Sequence, residues 1–301
     1  MHIALIGYGE VGRILAEDLR AAGHSLCAFD LKLPSDAGTA LREHAAAHGV
    51  VLAETAAQAV RGASLVVSAV TASQTVAVAD ACAPGLAAQA FFLDFNSASP
   101  GAKIHAAERV NAAGGRYVEG AVMTSVPPHR MRVPLLLGGP DAAALKPLLD
   151  ELGFAAQVHS NRLGVASATK MCRSVIIKGL EAMVIESFTT ARFHGVEDAM
   201  IASLQETFPG IDWDKQGAYF FQRVIEHGRR RSEEVREVTV TVREAGLVPH
   251  SAAGTAERQA HMAKLADAGV FGTRGAAGFA RSADWRQEAD RLLAALNETP
   301  P

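Results

Sequence analysis

The stretch LGVASATKMCRSVIIKGLEAM (163–183) sets Lys170, Ser174 and Lys178 at i, i+4 and i+8, so the three share one face of an otherwise apolar helix. Lysines are seldom buried without a purpose. On such a face, desolvation favours a neutral amine, and Lys170 then becomes a group able to take or give a proton near neutral pH. The alternative is a lysine that runs its stem along the apolar face and keeps its ammonium in water. Lys178 either binds an anionic group of a substrate or makes a structural contact with carbonyls or an acid. Further on, HGRRRSEEV gathers His227, Arg229, Arg230 and Arg231 into a dense cationic run. It reads in two ways: a fork for carboxylate or phosphate, with Arg230 as its representative, or a solvated helix face paired with Glu233 and Glu234.

A second chemical element stands at the N-terminus. IALIG-YGEVG-RILAEDL carries Gly7, Gly9 and Gly12 in GxGxxG spacing, between an apolar strand and an amphipathic helix. Gly7 permits the tight turn, Gly9 lets a pyrophosphate approach the backbone, Gly12 allows close helix–strand packing, and the helix start presents unpaired N–H groups. Tyr8, Glu10 and Val11 belong to the same loop. Eighteen positions after Gly12 an apolar run ends in Asp30, placed to accept from adenosine ribose hydroxyls, which favours NAD and repels a 2′-phosphate. Lys32 lies close enough to pair with that phosphate, so NADP stays open.

Three more loops follow strand-like runs, where ligands bind in a doubly wound sheet: AVTAS (69–73), with Val70 and Thr71; DFNSASP (94–100), with Asn96 and Ser97; and GAVMTSVPP (120–128), with Met123, Thr124 and Ser125. Asn96 and Ser97 either hydrogen-bond cofactor or substrate, or one of Asn96, Ser97 and Ser99 caps the helix that Pro100 opens.

The elements that must hold these groups follow from hydrophobic patterning. Strands are expected at 2–7, 25–30, 49–53, 64–70, 90–95, 116–122, 133–139 and 155–159, mostly continuous apolar runs, as strands buried on both faces require. Ala-rich helical segments fill the gaps, so the fold class is α/β: an N-terminal Rossmann doubly wound parallel sheet over 1–160. An all-helical C-terminal domain over 161–301 follows, beginning with a helix over 163–194 that is apolar nearly all round and therefore expected to be buried between domains or against a partner. Helices are expected at 196–207, 212–244 (possible break included), 251–268 and 283–297. With 49% hydrophobic and 20% charged residues in 301, the chain suits two domains. A net charge of -3 offers no general attraction for nucleic acid or an anionic membrane. Neither a signal peptide nor a membrane span is read, and Cys27, Cys82 and Cys172 show no CxxC spacing, which fits a cytoplasmic protein. The 11 histidines are read as holding no HExxH or comparable pair, so no metal is expected.

Gly164, Lys170 and the long helix they open resemble the G-x5-K element of the β-hydroxyacid dehydrogenases, the superfamily of 3-hydroxyisobutyrate and 6-phosphogluconate dehydrogenases. The glycine loop and DFNSASP stand in the family's order, and the likeness spans essentially the whole chain. It implies an NAD(P)-dependent oxidoreductase moving hydride between the nicotinamide and a small, anionic hydroxy acid or related carbonyl, with Lys170 as general acid/base, in a homodimer. Departures are plain: Ser174 stands where the family has asparagine, EGAVMTS (119–125) replaces its DAPVSGG-like loop, and Ile177 replaces the acid of the decarboxylating members. Glu233, Glu234 and Val235 fall where a distal Lys-Asp-Leu is usual. KMCRSVIIKGLEA and HGRRRSEEV resemble a branch whose helical domain is of the DUF1932 type. Imine reduction on the same scaffold, and a non-catalytic dinucleotide sensor, are the competing readings.

Overall fold

Apolar runs separated by glycine-terminated helices build one eight-stranded sheet. The computed structural model describes residues 1–276, 279–280 and 282–297. Its strands are β1 (His2–Ile6), β2 (Ser25–Phe29), β3 (Val51–Leu52), β4 (Leu65–Ser68), β5 (Phe91–Asp94), β6 (Arg116–Val122), β7 (Leu135–Gly138) and β8 (Ala156–Ser160). They lie in the order β3-β2-β1-β4-β5-β6-β7-β8. The helices between them are α1 (Glu10–Ala21), α2 (Thr39–His48), α3 (Ala56–Ala59), α4 (Thr75–Cys82), α5 (Pro100–Ala112) and α6 (Ala142–Glu151). The chain divides into two compact units, Met1–Cys172 and Arg173–Pro301.

Alternation along each strand splits the core of the first unit into two clusters. Ile3 and Leu5 point to one, with Leu15 and Leu19 of α1; Ala4 and Ile6 point to the other, with Phe92, Ala106 and Tyr117. Each fully buried large side chain contributes about 1.5–3 kcal/mol. β1 pairs with β2 on one side and β4 on the other, Leu5 facing Ala28 and Val67. The chain reverses its winding there, so the loops after β1 and β4 diverge and leave the crevice in which doubly wound sheets bind ligands.

The expected all-parallel sheet is broken at one pairing: β7 runs antiparallel to β6, with Glu119 opposite Gly138, and β8, parallel to β7, is reversed with it. The segment between them holds a single 3-10 turn, Arg130–Arg132, and no crossover helix of the kind that usually joins neighbouring parallel strands.

α7 (Val165–His194) begins in the first unit and continues into the second, where α8 (Glu197–Thr207), α9 (Trp213–Glu244), α10 (His250–Asp267) and α11 (Trp285–Asn297) follow. Phe188, Trp213, Phe221, Met262 and Trp285 form the core of this unit. α9 is unbroken, capped at its start by Asp212, which accepts from the Lys215 amide at 3.1 Å. Gly228 lets α9 and α10 close on each other: a Cβ there would lie 2.7 Å from the Gln259 carbonyl oxygen. On α7, Val184, Ile185 and Phe188 are buried in the single chain, while Ile176 and Met183 are 68% and 62% exposed. No helix among the described residues is long and apolar enough to cross a membrane.

Candidate active site

The glycine loop divides its labour as the spacing requires. Gly7 sits at φ +92°, and a Cβ there would lie 2.4 Å from the Ala69 carbonyl oxygen; one on Gly12 would lie 2.1 Å from that of Gly7. Gly9 differs, because nothing stands within 4 Å of where its Cβ would be. Its backbone faces open space at the start of α1, which has no side-chain cap, and Glu10 and Val11 continue into the first turn. A pyrophosphate fits this cradle, with the amides of that turn as its donors. Tyr8 contributes backbone alone. Its ring is fully buried, its hydroxyl lies 2.9 Å from His44 Nδ1, and burial pushes the phenol up to about 12. Asp30 accepts from the Tyr8 amide at 2.8 Å and from the Lys32 amide at 2.9 Å, one bond per carboxylate oxygen, so each oxygen keeps capacity for a ribose hydroxyl. The Lys32 side chain is exposed.

Asn96 is buried and turned inward, where the sequence left open a ligand contact or a helix cap. Its Oδ1 accepts from the Val70 amide at 2.7 Å and its Nδ2 donates to Ser68 Oγ at 3.1 Å, which ties the loops after β4 and β5 together. Thr71 beside Val70 is exposed. Ser99 is the helix cap, accepting from the Ala102 amide at 3.3 Å, with Pro100 in the first turn of α5. Ser97 is thereby left for another partner, and that partner is Lys170: its Nζ donates to Ser97 Oγ at 2.5 Å. Lys170 is half-buried rather than enclosed.

Two buried acids position this pair. Asp94 closes β5 and holds the amide of Asn96 at 2.8 Å, the Tyr117 hydroxyl at 2.5 Å and the Lys103 ammonium at 2.9 Å. Lys103 also donates to the Asp94 carbonyl at 2.9 Å, and both side chains are 1% exposed. Burial, with Asp94 and Glu119 nearby, pushes the Tyr117 phenol well above its usual range. Lys103 escaped the sequence reading; a lone lysine in an Ala-rich helix three residues past a proline was the only signal. Glu119, on β6, accepts from the Ala166 amide at 3.0 Å and from Ser167 Oγ at 2.9 Å, so it caps α7 just past Gly164, which sits at φ +85°. That fixes the phase of α7, and Lys170 follows one turn after Ala166.

In the loop after β6, Met123 is half-buried with its amide on the Pro134 carbonyl at 3.0 Å, Ser125 is half-buried and Thr124 is exposed. Within the second unit, Lys178 lies 3.1 Å from Glu234 and 3.3 Å from Ser174 Oγ. Burial draws the Lys178 ammonium below its usual range, opposed by Glu234. The cationic run is taken up in ion pairs: Arg229 with Asp267, Arg230 with Glu234 one turn on, and Arg231 with the buried Glu181. Arg230 is thus a member of the paired helix face, the second of its two readings. His227 is pushed down by burial and lies 3.7 Å from Glu226. The reading that no histidines are spaced for a metal passed over His44 and His48, one turn apart on α2; the i, i+4 spacing was there to be seen.

A glycine loop at the switch point, an acid closing β2 and a lysine brought to the β5 loop define a dinucleotide-binding Rossmann protein. Residues 2–160 match the model of the NAD binding domain of 6-phosphogluconate dehydrogenase, and residues 191–262 match a domain of unknown function, DUF1932. The chain belongs to this NAD-binding family. It is 35% identical to a conserved hypothetical protein of Sinorhizobium meliloti 1021 whose crystal structure superposes with a TM-score of 0.77, covering 98% of this chain and 96% of that one. A conserved protein of unknown function, described as structurally similar to 3-hydroxyacid dehydrogenases, is 26% identical with a TM-score of 0.69, over 89% of this chain and 98% of its own. The 3-hydroxyisobutyrate dehydrogenase of Pseudomonas aeruginosa is 25% identical over 218 residues, 70% of this chain and 71% of that protein.

Proposed function

We propose that the protein is an NAD(P)-dependent oxidoreductase acting on a small hydroxy acid or a related carbonyl compound, with Lys170 as general acid/base. The observation that carries this is the contact of Lys170 Nζ with Ser97 Oγ beside the switch-point loops. The serine hydroxyl orients the nitrogen at the mouth of the β5 loop, where a substrate oxygen would meet it. As an alcohol is oxidised, neutral Lys170 takes the hydroxyl proton; in reduction it returns that proton to the carbonyl oxygen. The nicotinamide, when bound, supplies the hydride acceptor or donor. Gly9 and the first turn of α1 would hold the pyrophosphate, and Asp30 the adenosine ribose, which favours NAD over NADP.

We assign Ser174, Lys178 and Arg230 no role toward substrate, because their polar groups are engaged with one another and with Glu234. The exposed Ile176, Ile177 and Met183 support a homodimer that covers them. The unpaired thiols of Cys27, Cys82 and Cys172 support a cytoplasmic setting. The decisive experiment is Lys170→Met, assayed against a panel of hydroxy acids, aldehydes and imines after NADH affinity has been measured by fluorescence. Turnover is expected to fall about 10²–10⁴-fold with NADH affinity unchanged. Full activity in the variant would remove Lys170 from the chemistry, and wild-type protein that binds NADH yet turns over nothing on the panel would favour a sensor.

A further inference from the structure

We propose that Glu17, His44 and His48 form a binding site for a divalent transition-metal ion of the zinc, nickel or copper type. His44 and His48 lie one turn apart on α2 with their rings stacked, centroids 4.3 Å apart and planes 25° from parallel. Glu17 reaches them from α1. One donor atom from each of the three lies within 4.8 Å of the others, and among the described residues these three are the group of histidines, cysteines and acids that meets this condition.

The pair already in contact is close to the spacing an ion requires. His44 Nε2 and Glu17 Oε1 are 3.0 Å apart, and a widening of a few tenths of an ångström lets each stand about 2.0–2.2 Å from one metal. The other carboxylate oxygen, Oε2, is held at 2.7 Å by Arg130, which leaves Oε1 directed at the histidines. That guanidinium also meets Asp18 at 2.7 Å, so its positive charge beside the site is offset. Behind His44, Nδ1 lies 2.9 Å from the Tyr8 hydroxyl, the outer partner that metal-bound histidines commonly have. An ion takes the place of the proton shared between Nε2 and Oε1; the imidazole then carries its proton on Nδ1 and donates it to the Tyr8 oxygen. Two imidazoles and one carboxylate suit zinc, nickel and copper, whereas magnesium and calcium take oxygen donors. His48 is exposed, which provides an entry path and a place for water on the ion.

The test is calorimetric titration of tag-free protein with Zn²⁺, Ni²⁺ and Mg²⁺, in the wild type and in the His48→Ala, Glu17→Gln and Cys172→Ser variants, each checked by circular dichroism. One equivalent of Zn²⁺ or Ni²⁺ is expected to bind saturably, with affinity lowered more than about tenfold in His48→Ala and in Glu17→Gln and unchanged in Cys172→Ser. Equal affinity in wild type and His48→Ala, loss of binding in Cys172→Ser, or Mg²⁺ bound as well as Zn²⁺ each overturns the assignment. NADH titration of His48→Ala is expected to match wild type, so failure of the metal site leaves the dinucleotide reading standing.

Discussion

Glu119, in the middle of a buried strand, accepts the hydroxyl of Ser167 at 2.9 Å, and the two residues stand 48 positions apart in the chain. Its other oxygen takes the Ala166 amide, so a strand residue does the work normally left to a helix cap next in sequence. Gly138 makes room for it: a Cβ there would lie 2.1 Å from Glu119 Oε1. The sheet therefore sets where α7 begins and, one turn later, where Lys170 meets Ser97.

Replacing Glu119 with alanine is expected to destabilise the first unit by about 1–3 kcal/mol, from the lost cap and the donors left buried. Differential scanning calorimetry reads this as a lower melting temperature. Because the pyrophosphate cradle is built elsewhere, NADH affinity is expected to hold while kcat falls. A loss confined to NADH affinity would show that Glu119 does not act through Lys170.

The three loop glycines should separate binding from folding. Gly9→Ala places a methyl in open space at a negative φ of -74°, so the fold is expected to survive while dinucleotide affinity falls at least about tenfold from the obstructed approach. Gly12→Ala forces a methyl against the Gly7 carbonyl and is expected to lower thermal stability as well. NADH fluorescence titration beside calorimetry distinguishes the two; identical behaviour of the variants would contradict the division of roles.

The glycine loop, the Asp30 strand end, the lysine helix and six of the eight strand directions are local patterns, so they were readable from residue order. Strand direction at β7 and β8 was not, since VPLLLGG is the same apolar run whichever way it points. Partners were hidden for the same reason. Glu181 is 50 residues from Arg231, and Asp267 is 38 from Arg229; a cationic run shows its charges and not the acids folding brings to them. Asn96 shows the opposite limit: a polar residue after a buried strand can face either a ligand or the neighbouring loop, and only the position of Val70 decides.

Lys178 should make stability depend on pH in the alkaline range. Its ordinary value is 10.5, and burial lowers it in the folded protein. Between the folded and the ordinary value the unfolded chain binds more protons, so stability rises with pH across that window and the penalty of burying the charge is gone above it. Lys178→Met removes the titration and leaves Glu234 paired with Arg230. Wild type is therefore expected to gain on the variant as pH rises through the alkaline range below the ordinary value of 10.5. Both tryptophans, Trp213 and Trp285, lie in the core of the second unit, so urea unfolding followed by tryptophan fluorescence reads that unit directly. A difference that stays constant with pH would mean that Lys178 keeps its ordinary proton affinity.

Lys103 gives the sharpest test of how the β5 loop is held. With Lys103 and Asp94 both 1% exposed, methionine at 103 leaves the carboxylate with the Tyr117 hydroxyl and the Asn96 amide but no cation. Breaking one side of a buried pair costs about 3–5 kcal/mol. Removing both charges, as in Lys103→Met with Asp94→Leu, is expected to recover part of that loss, because the uncompensated charge goes with the partner. Activity should behave differently from stability. Asp94 holds the amide next to Ser97, so the double variant is expected to stay slow in turnover even where its melting temperature has returned toward that of the wild type. If turnover recovers together with stability, the Asp94–Lys103 pair serves the fold alone, and Ser97 is positioned by the Val70–Asn96 tie instead.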